Sequence, residues 1–221
     1  ISYVNCNADG LVDFDELRRL IRPPTILVRI AAVNSELGIR QPLKMIRQII
    51  KKENPSVLLH SDMTQAVGKI PLSIHDVDLA TISSHKIYGP KGIAMLYKSS
   101  NVRVTPIIYG SGKSNDLKPG TPALPLIVGF AKALRLSLQD IEKKEKYINL
   151  LNERLCKHFN KYEDILINKT KYSIPHILNI SLMNIKPETF IHALDKEEIY
   201  VSTNTACSSG DVSSSVMVLY N

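Results

Sequence analysis

The stretch Thr81-Ile-Ser-Ser-His-Lys-Ile-Tyr-Gly-Pro-Lys-Gly92 sets the fold. It follows the short apolar run Val77–Ile82, interrupted by Asp78 and bounded by turn formers, so the pattern predicts a buried strand with Lys86 just past its carboxyl end. In open α/β sheets that end is where ligands bind. Ser83, His85 and Lys86 offer a hydroxyl, an imidazole and an amine within four residues, and Gly89, Pro90 and Gly92 fix the turn that follows. Such groups can hold a phosphate and form an imine. By itself the quartet reads more readily as an ordinary surface loop with one lysine, since short motifs recur by chance.

Upstream, the same grammar repeats. After Pro23-Pro24 the Ile-, Leu- and Val-rich run Thr25–Val33 predicts a buried strand that ends at Asn34-Ser-Glu36-Leu-Gly38. Pro42–Lys52 predicts a helix opened by proline, with Leu43, Ile46, Ile49 and Ile50 on one face. Val57–His60 is the next expected strand and ends at Ser61-Asp62-Met63-Thr64-Gln65. A strand–helix–strand rhythm of this kind implies an α/β fold with a mainly parallel sheet. Three neighbouring strand ends then carry Asn34, Asp62 with Gln65, and Ser83 with His85 and Lys86. Polar residues at one strand end are unremarkable, but three such ends on adjacent parallel strands converge on one crevice. A carboxylate, an amine, an imidazole, amides and hydroxyls together suit an aromatic, phosphate-bearing cofactor.

Two other motifs are false leads. Asn5-Cys-Asn7-Ala-Asp9-Gly10 through Glu16 has the oxygen spacing of an EF-hand calcium loop, yet only the short β-prone run Ile1–Val4 precedes it where a helix is needed. A strand–turn–helix connection, with Asp9-Gly10 as the turn and Val12–Ile21 as the helix, is the favoured reading. Gly110-Ser-Gly112-Lys113-Ser114 resembles a P-loop, but Ile107 stands where its first glycine is required, and the segment reads as a flexible loop.

From Pro125 onward, Leu134, Leu138, Ile141, Ile148, Leu151, Leu155 and Phe159 keep helical steps and predict one long helix, with Cys156 and His158 as packing and surface residues. Strands at Ile165–Ile167 and His176–Leu182, a helix at Pro187–Asp195 and a last strand at Ile199–Ser202 complete a smaller α+β unit. The expected division is residues 1–135 and 136–221. Cys207 follows among Thr, Ser, Ala and Gly, with no apolar period to bury it. Local context leaves two readings open for it, an exposed nucleophile or a packing residue.

The 221 residues suffice for a substantial core in one or two domains. No apolar run approaches the ~18 residues of a membrane span, and a soluble, cytoplasmic protein is expected. Three cysteines without metal-ligand spacing argue for a reducing compartment and against a disulfide framework. The net charge of +7 is dispersed among acidic residues with little aromatic interleaving, which reads as a solvated surface rather than a nucleic-acid interface.

Taken together, His60-Ser-Asp62-Met-Thr-Gln65-Ala-Val-Gly-Lys69, Ser83-Ser-His85-Lys86-Ile-Tyr-Gly-Pro-Lys-Gly92 and Ala206-Cys207-Ser-Ser-Gly210 resemble the cysteine desulfurases, class V members of the fold-type-I pyridoxal-phosphate enzymes. Asn34-Ser-Glu36-Leu-Gly38 is similar to that family's Asn-Asn-Glu-x-Gly, and Lys118-Pro-Gly120-Thr121 to its Arg-x-Gly-Thr. The motifs run in family order over nearly the whole chain. The resemblance implies a large cofactor-binding domain, then part of a smaller one. It makes Lys86 the Schiff-base lysine, Asp62 the partner of the pyridine nitrogen, Gln65 and Asn34 the partners of the ring phenolic oxygen, and Ser83 and His85 phosphate ligands. Thr121 reaches the phosphate held by the neighbouring subunit of a homodimer, and Cys207 carries the persulfide. The implied substrate is L-cysteine and the implied partner a sulfur-acceptor protein, for iron-sulfur cluster or thio-cofactor supply.

The chain departs from the family pattern in three places. Gly110–Ser114 replaces Gly-Gly-Gly-Gln-Glu, and Lys118 replaces an arginine whose bidentate contact lysine does not reproduce. The resemblance also implies that the chain starts after the family's N-terminal phosphate-binding turn and stacking histidine and stops before the carboxylate-binding arginine, as an internal segment of a longer enzyme. The alternatives are a related pyridoxal-phosphate lyase or aminotransferase, for example one acting on selenocysteine, and a non-catalytic calcium-binding or scaffold protein built on Asn5–Glu16.

Overall fold

The computed structural model describes residues 1–110, 117–183 and 185–203. Helix α1, Phe14–Leu20, starts where Asp13 Oδ1 accepts the N–H groups of Asp15 and Glu16, both at 2.9 Å, with acidic residues in its first turn and Arg18 and Arg19 in its last. Strand β1, Leu27–Ala31, leads through helix α2, Leu43–Glu53, to strand β2, Leu58–Asp62, and then to β3, Leu79–Ser83, and β4, Ala94–Lys98. The sheet order is β1-β2-β3-β4. β1/β2 and β2/β3 are parallel and β3/β4 antiparallel. The expected mainly parallel α/β sheet is present, with an antiparallel fourth strand, at its edge among the described residues, that sequence reading did not anticipate.

Leu43, Ile46, Ile49 and Ile50 form the buried face of α2, as the spacing predicted. They pack in one core with Val57, just before β2, and with Leu59, Ala80 and Ile82 from the strands. β1 is less covered than its apolar run suggested, since only Ile30 is buried along it. Among the described residues it lies at the end of the sheet order, with β2 as its one neighbour. At the core's edge Asp78, 1 % exposed, accepts the N–H of Leu59 and meets Arg47 and Lys51 at 3.0 Å each, tying α2 to both central strands.

The long helix predicted beyond Pro125 is two helices, α3, Leu124–Leu138, and α4, Ile141–Phe159. Asp140 adopts a left-handed conformation, φ 51°, between them. The ammonium of Lys144 donates to the carbonyls of Leu136 and Ser137, closing the end of α3 that a continuous helix would have satisfied internally. Strands β5, Ile165–Asn168, and β6, Asn179–Leu182, pair antiparallel, and α5, Pro187–Lys196, follows. Ile199–Ser202 forms no strand, because no partner strand lies beside it among the described residues. Ile1–Val4 likewise forms none; an isolated bridge, Cys6 to Val12, closes the Asp9-Gly10 turn instead.

That turn also accounts for the calcium-like spacing. Glu16 Oε2 accepts the backbone N–H of Asn5 at 2.7 Å, and Asn7 Oδ1 accepts the N–H groups of Asp9 and Leu11 at 3.0 Å each. The oxygens at those positions brace a turn before a helix. Among the described residues no helix is long and apolar enough to cross a membrane.

Candidate active site

The parallel register puts three strand ends side by side. Ala31 pairs with Asp62, and Asp62 with Thr81. Asn34 lies three residues past β1, Asp62 ends β2, and Ser83 ends β3. Immediately after, Ser84–Ile87 forms a single 3-10 turn carrying exposed His85 and Lys86. Tyr88 closes that turn in the left-handed region, φ 64°, with its N–H donated to the carbonyl of Ser84. Lys86 therefore stands just beyond the carboxyl end of a strand, as its sequence context predicted.

The links between these ends are specific. Met63 donates its N–H to the carbonyl of Thr81 at 2.9 Å, and Thr64 Oγ1 accepts the N–H of Ser83 at 3.2 Å. Asp62 Oδ1 accepts the N–H of Thr64 at 3.0 Å, which orients the carboxylate. His60 lies two residues before Asp62 on the same face of β2; burial and then the Arg29 charge push its pKa down, against the Asp62 carboxylate. Gln65 sits on the following turn, where its Oε1 accepts from the ammonium of Lys69 at 3.2 Å.

Asn34 shapes its own loop, its Oδ1 accepting from the N–H groups of Glu36 and Leu37 at 2.9 and 2.7 Å. The segment before β6 straps that loop: Ile174 donates to the carbonyl of Gly38, Arg40 to that of Tyr172, and Asn179 Nδ2 to that of Glu36. Gly38, with φ +68°, meets Ile177 and Ile174 where a Cβ would point.

A cleft of about 470 Å³ opens between the Lys86 turn and helices α3 and α4, lined in part by Lys69, Lys86, Lys144, Tyr147 and His176. Asp62, Gln65, Ser83 and His85 do not line it. Burial first, and then the Lys86 charge, lowers the pKa of Lys69; burial and then the Lys69 charge lowers that of His176. The cleft is thus a basic, partly apolar flank of the strand-end constellation rather than the crevice predicted from the sequence.

Six of the eight residues singled out, Asn34, Asp62, Gln65, Ser83, His85 and Lys86, therefore gather at the carboxyl ends of three adjacent strands. Thr121 lies in an exposed segment before α3, after Gly120 with φ +102°. Cys207 lies outside the described residues, as do residues 111–116 of the P-loop-like stretch. Sequence reasoning passed over Thr64 and Lys69. The four-residue spacing of Gln65 and Lys69 on a helical turn was the available signal for the second. As to a cofactor, a carboxylate oriented by a backbone N–H, an amine on a fixed turn and a hydroxyl–imidazole pair form a donor set that fits pyridoxal phosphate.

An α/β sheet with this constellation at its strand ends defines a class of cofactor-dependent enzymes, and the chain belongs to the family described as aminotransferase class-V, whose pattern matches residues 1–220. It is 38 % identical over 225 residues to a mitochondrial cysteine desulfurase of Candida maltosa, an alignment covering 99 % of this chain and 46 % of that protein. It is 37 % identical over 224 residues to the cysteine desulfurase IscS of Rickettsia typhi, covering 99 % and 54 %. Among solved structures, a NifS-like protein superposes with a TM-score of 0.89 at 32 % identity, covering 99 % of this chain and 58 % of its own. The chain spans about half the length of the two desulfurases. The fold expected from the sequence, part of a fold-type-I large domain, is borne out by these neighbours.

Proposed function

We propose that the protein is a pyridoxal-phosphate-dependent cysteine desulfurase, which converts L-cysteine to L-alanine and passes the sulfur on through an enzyme persulfide. The observation that carries this reading is the junction of Asp62 and the Ser83–Lys86 turn through Thr64, at 3.0 and 3.2 Å. Similarity to the desulfurases of Candida maltosa and Rickettsia typhi supports the choice of substrate.

Bound at the strand ends, the cofactor supplies an electron sink that acidifies the substrate's Cα–H. Lys86 provides the amine for covalent attachment and, once released by substrate, a base at Nζ. Asp62, oriented by the Thr64 N–H, would hold the ring nitrogen of the bound cofactor and favour its protonated form. Gln65 and Asn34 would hold the phenolic oxygen. Ser83 and His85 would hold the phosphate, and Thr121 would do so for the second subunit of a homodimer. The Cys207 thiolate attacks the substrate sulfur: an S–S bond forms, the C–S bond breaks with its electron pair left on carbon, and a proton completes alanine. The persulfide then passes to a sulfur-acceptor protein, with iron-sulfur cluster or thio-cofactor supply as the destination. We place the division between large and small units near 135/136, and the enzyme in a thiol-reducing compartment, the cytoplasm.

The test is a product assay on the full chain with pyridoxal phosphate, a reductant and L-cysteine. Alanine and sulfide appearing in equal amounts is the expected outcome. Pyruvate and ammonia without alanine, or turnover with selenocysteine alone, contradicts it.

A further inference from the structure

We propose that Lys69 is a positioning residue that fixes the carboxamide of Gln65, so that Gln65 presents its N–H₂ group and not its carbonyl to the cofactor ring. The proposal rests on the reading above that Gln65 faces the ring's phenolic oxygen.

An ammonium has three donors and no acceptor, so the atom of Gln65 that meets Lys69 Nζ at 3.2 Å is the carbonyl Oε1. An amide's two ends are otherwise nearly equivalent in shape, and the charged donor removes the ambiguity. With Oε1 engaged, Nε2 is the end left to donate, and it makes no hydrogen bond among the described residues. A phenolate oxygen is an acceptor, so a glutamine turned the other way would set two acceptors against each other. The pairing is built by the backbone. Ala66 and Val67 each donate to the carbonyl of Met63, and Lys69 and Ile70 to that of Ala66, a helical turn that puts residues 65 and 69 on one side. Burial and the neighbouring Lys86 charge both disfavour the Lys69 ammonium. A cation held under those conditions is spent on Gln65 and not on a carboxylate, since no ion pair of Lys69 exists among the described residues.

The experiment titrates the full chain and its variants with pyridoxal phosphate and with the 3-deoxy analogue, which lacks the phenolic oxygen, following ligand absorbance. Lys69→Met is expected to weaken pyridoxal phosphate about tenfold, the effect of releasing the rotamers of one glutamine side chain, and to leave the analogue within about twofold. Gln65→Ala should discriminate in the same way, the double variant should lose nothing further, and Lys69→Arg, also a pure donor, should restore most of the affinity. Equal weakening of both ligands by Lys69→Met, or no weakening, overturns the positioning role. If Gln65→Ala itself fails to discriminate, the ring-oxygen reading of Gln65 falls, and the proposal with it. Should Lys69→Met not fold, Lys69→Gln, which donates and accepts equally, carries the same comparison.

Discussion

Thr64 Oγ1 accepts the backbone N–H of Ser83 at 3.2 Å, so the residue two past Asp62 fixes the residue three before Lys86. One hydroxyl thereby joins the two strand ends on which the proposed chemistry depends. Thr64→Val keeps the shape and removes the acceptor, leaving a partly buried N–H unpaired. The expected cost is about 1–3 kcal/mol of stability, together with weaker cofactor binding; Thr64→Ser should behave like the native protein. Denaturant midpoints and ligand titration of the three chains check this.

In the proposed chemistry the Asp62 carboxylate serves through its charge, whereas its bond to Thr64 is one that an amide oxygen can replace. Asp62→Asn is therefore expected to leave the fold and covalent attachment intact while slowing turnover by roughly tenfold or more, one pKa unit at the ring nitrogen corresponding to about 1.4 kcal/mol. Steady-state kinetics beside a thermal melt separates the two effects, and unchanged turnover would remove the electron-sink role.

Gly89 donates its N–H to the carbonyl of Ser84 at 3.1 Å and lies against the Ser84 hydroxyl and Ala133 of α3. A Cβ at residue 89 would collide with the buried Ser84 Oγ, so Gly89→Ala should displace the turn that carries Lys86, at about 1–3 kcal/mol in stability. Loss of cofactor attachment larger than the loss of stability explains is the expected signature.

Burial alone would raise the pKa of Asp78, but the Leu59 N–H, Lys51 and Arg47 outweigh it and hold the carboxyl below its ordinary value. A group whose pKa is depressed by folding contributes stability above its unfolded value, about pH 4, and loses it as the pH falls further. Acid unfolding of the native chain should therefore steepen below about pH 4. Asp78→Ala should lose about 3–5 kcal/mol at neutral pH and show a flatter acid limb, measured by denaturation across pH.

The first three strands and α2 were legible because their signals are local: apolar runs of strand length, and Leu43, Ile46, Ile49 and Ile50 at helical spacing. Strand β4 was not anticipated: Ala94–Lys98 carries no apolar–polar alternation in sequence, and its half-buried Met95 and Tyr97 are set apart from exposed neighbours only once it pairs with β3. The break between α3 and α4 was hidden for a different reason. Apolar spacing continues through Gln139 and Asp140, and only the left-handed Asp140 and the Lys144 cap reveal the stop. At the site, the residue types and their order were visible, whereas the contacts of Thr64 and Lys69 depend on strand register and turn geometry that no spacing rule encodes.

The proposed chemistry stands or falls on Lys86 as the covalent attachment point. Borohydride reduction of the full chain loaded with pyridoxal phosphate, followed by peptide mapping, tests it directly. A single pyridoxyl label is expected, on Lys86, and none in Lys86→Ala. A label on Lys69 or Lys91, or one that persists in Lys86→Ala, would contradict it.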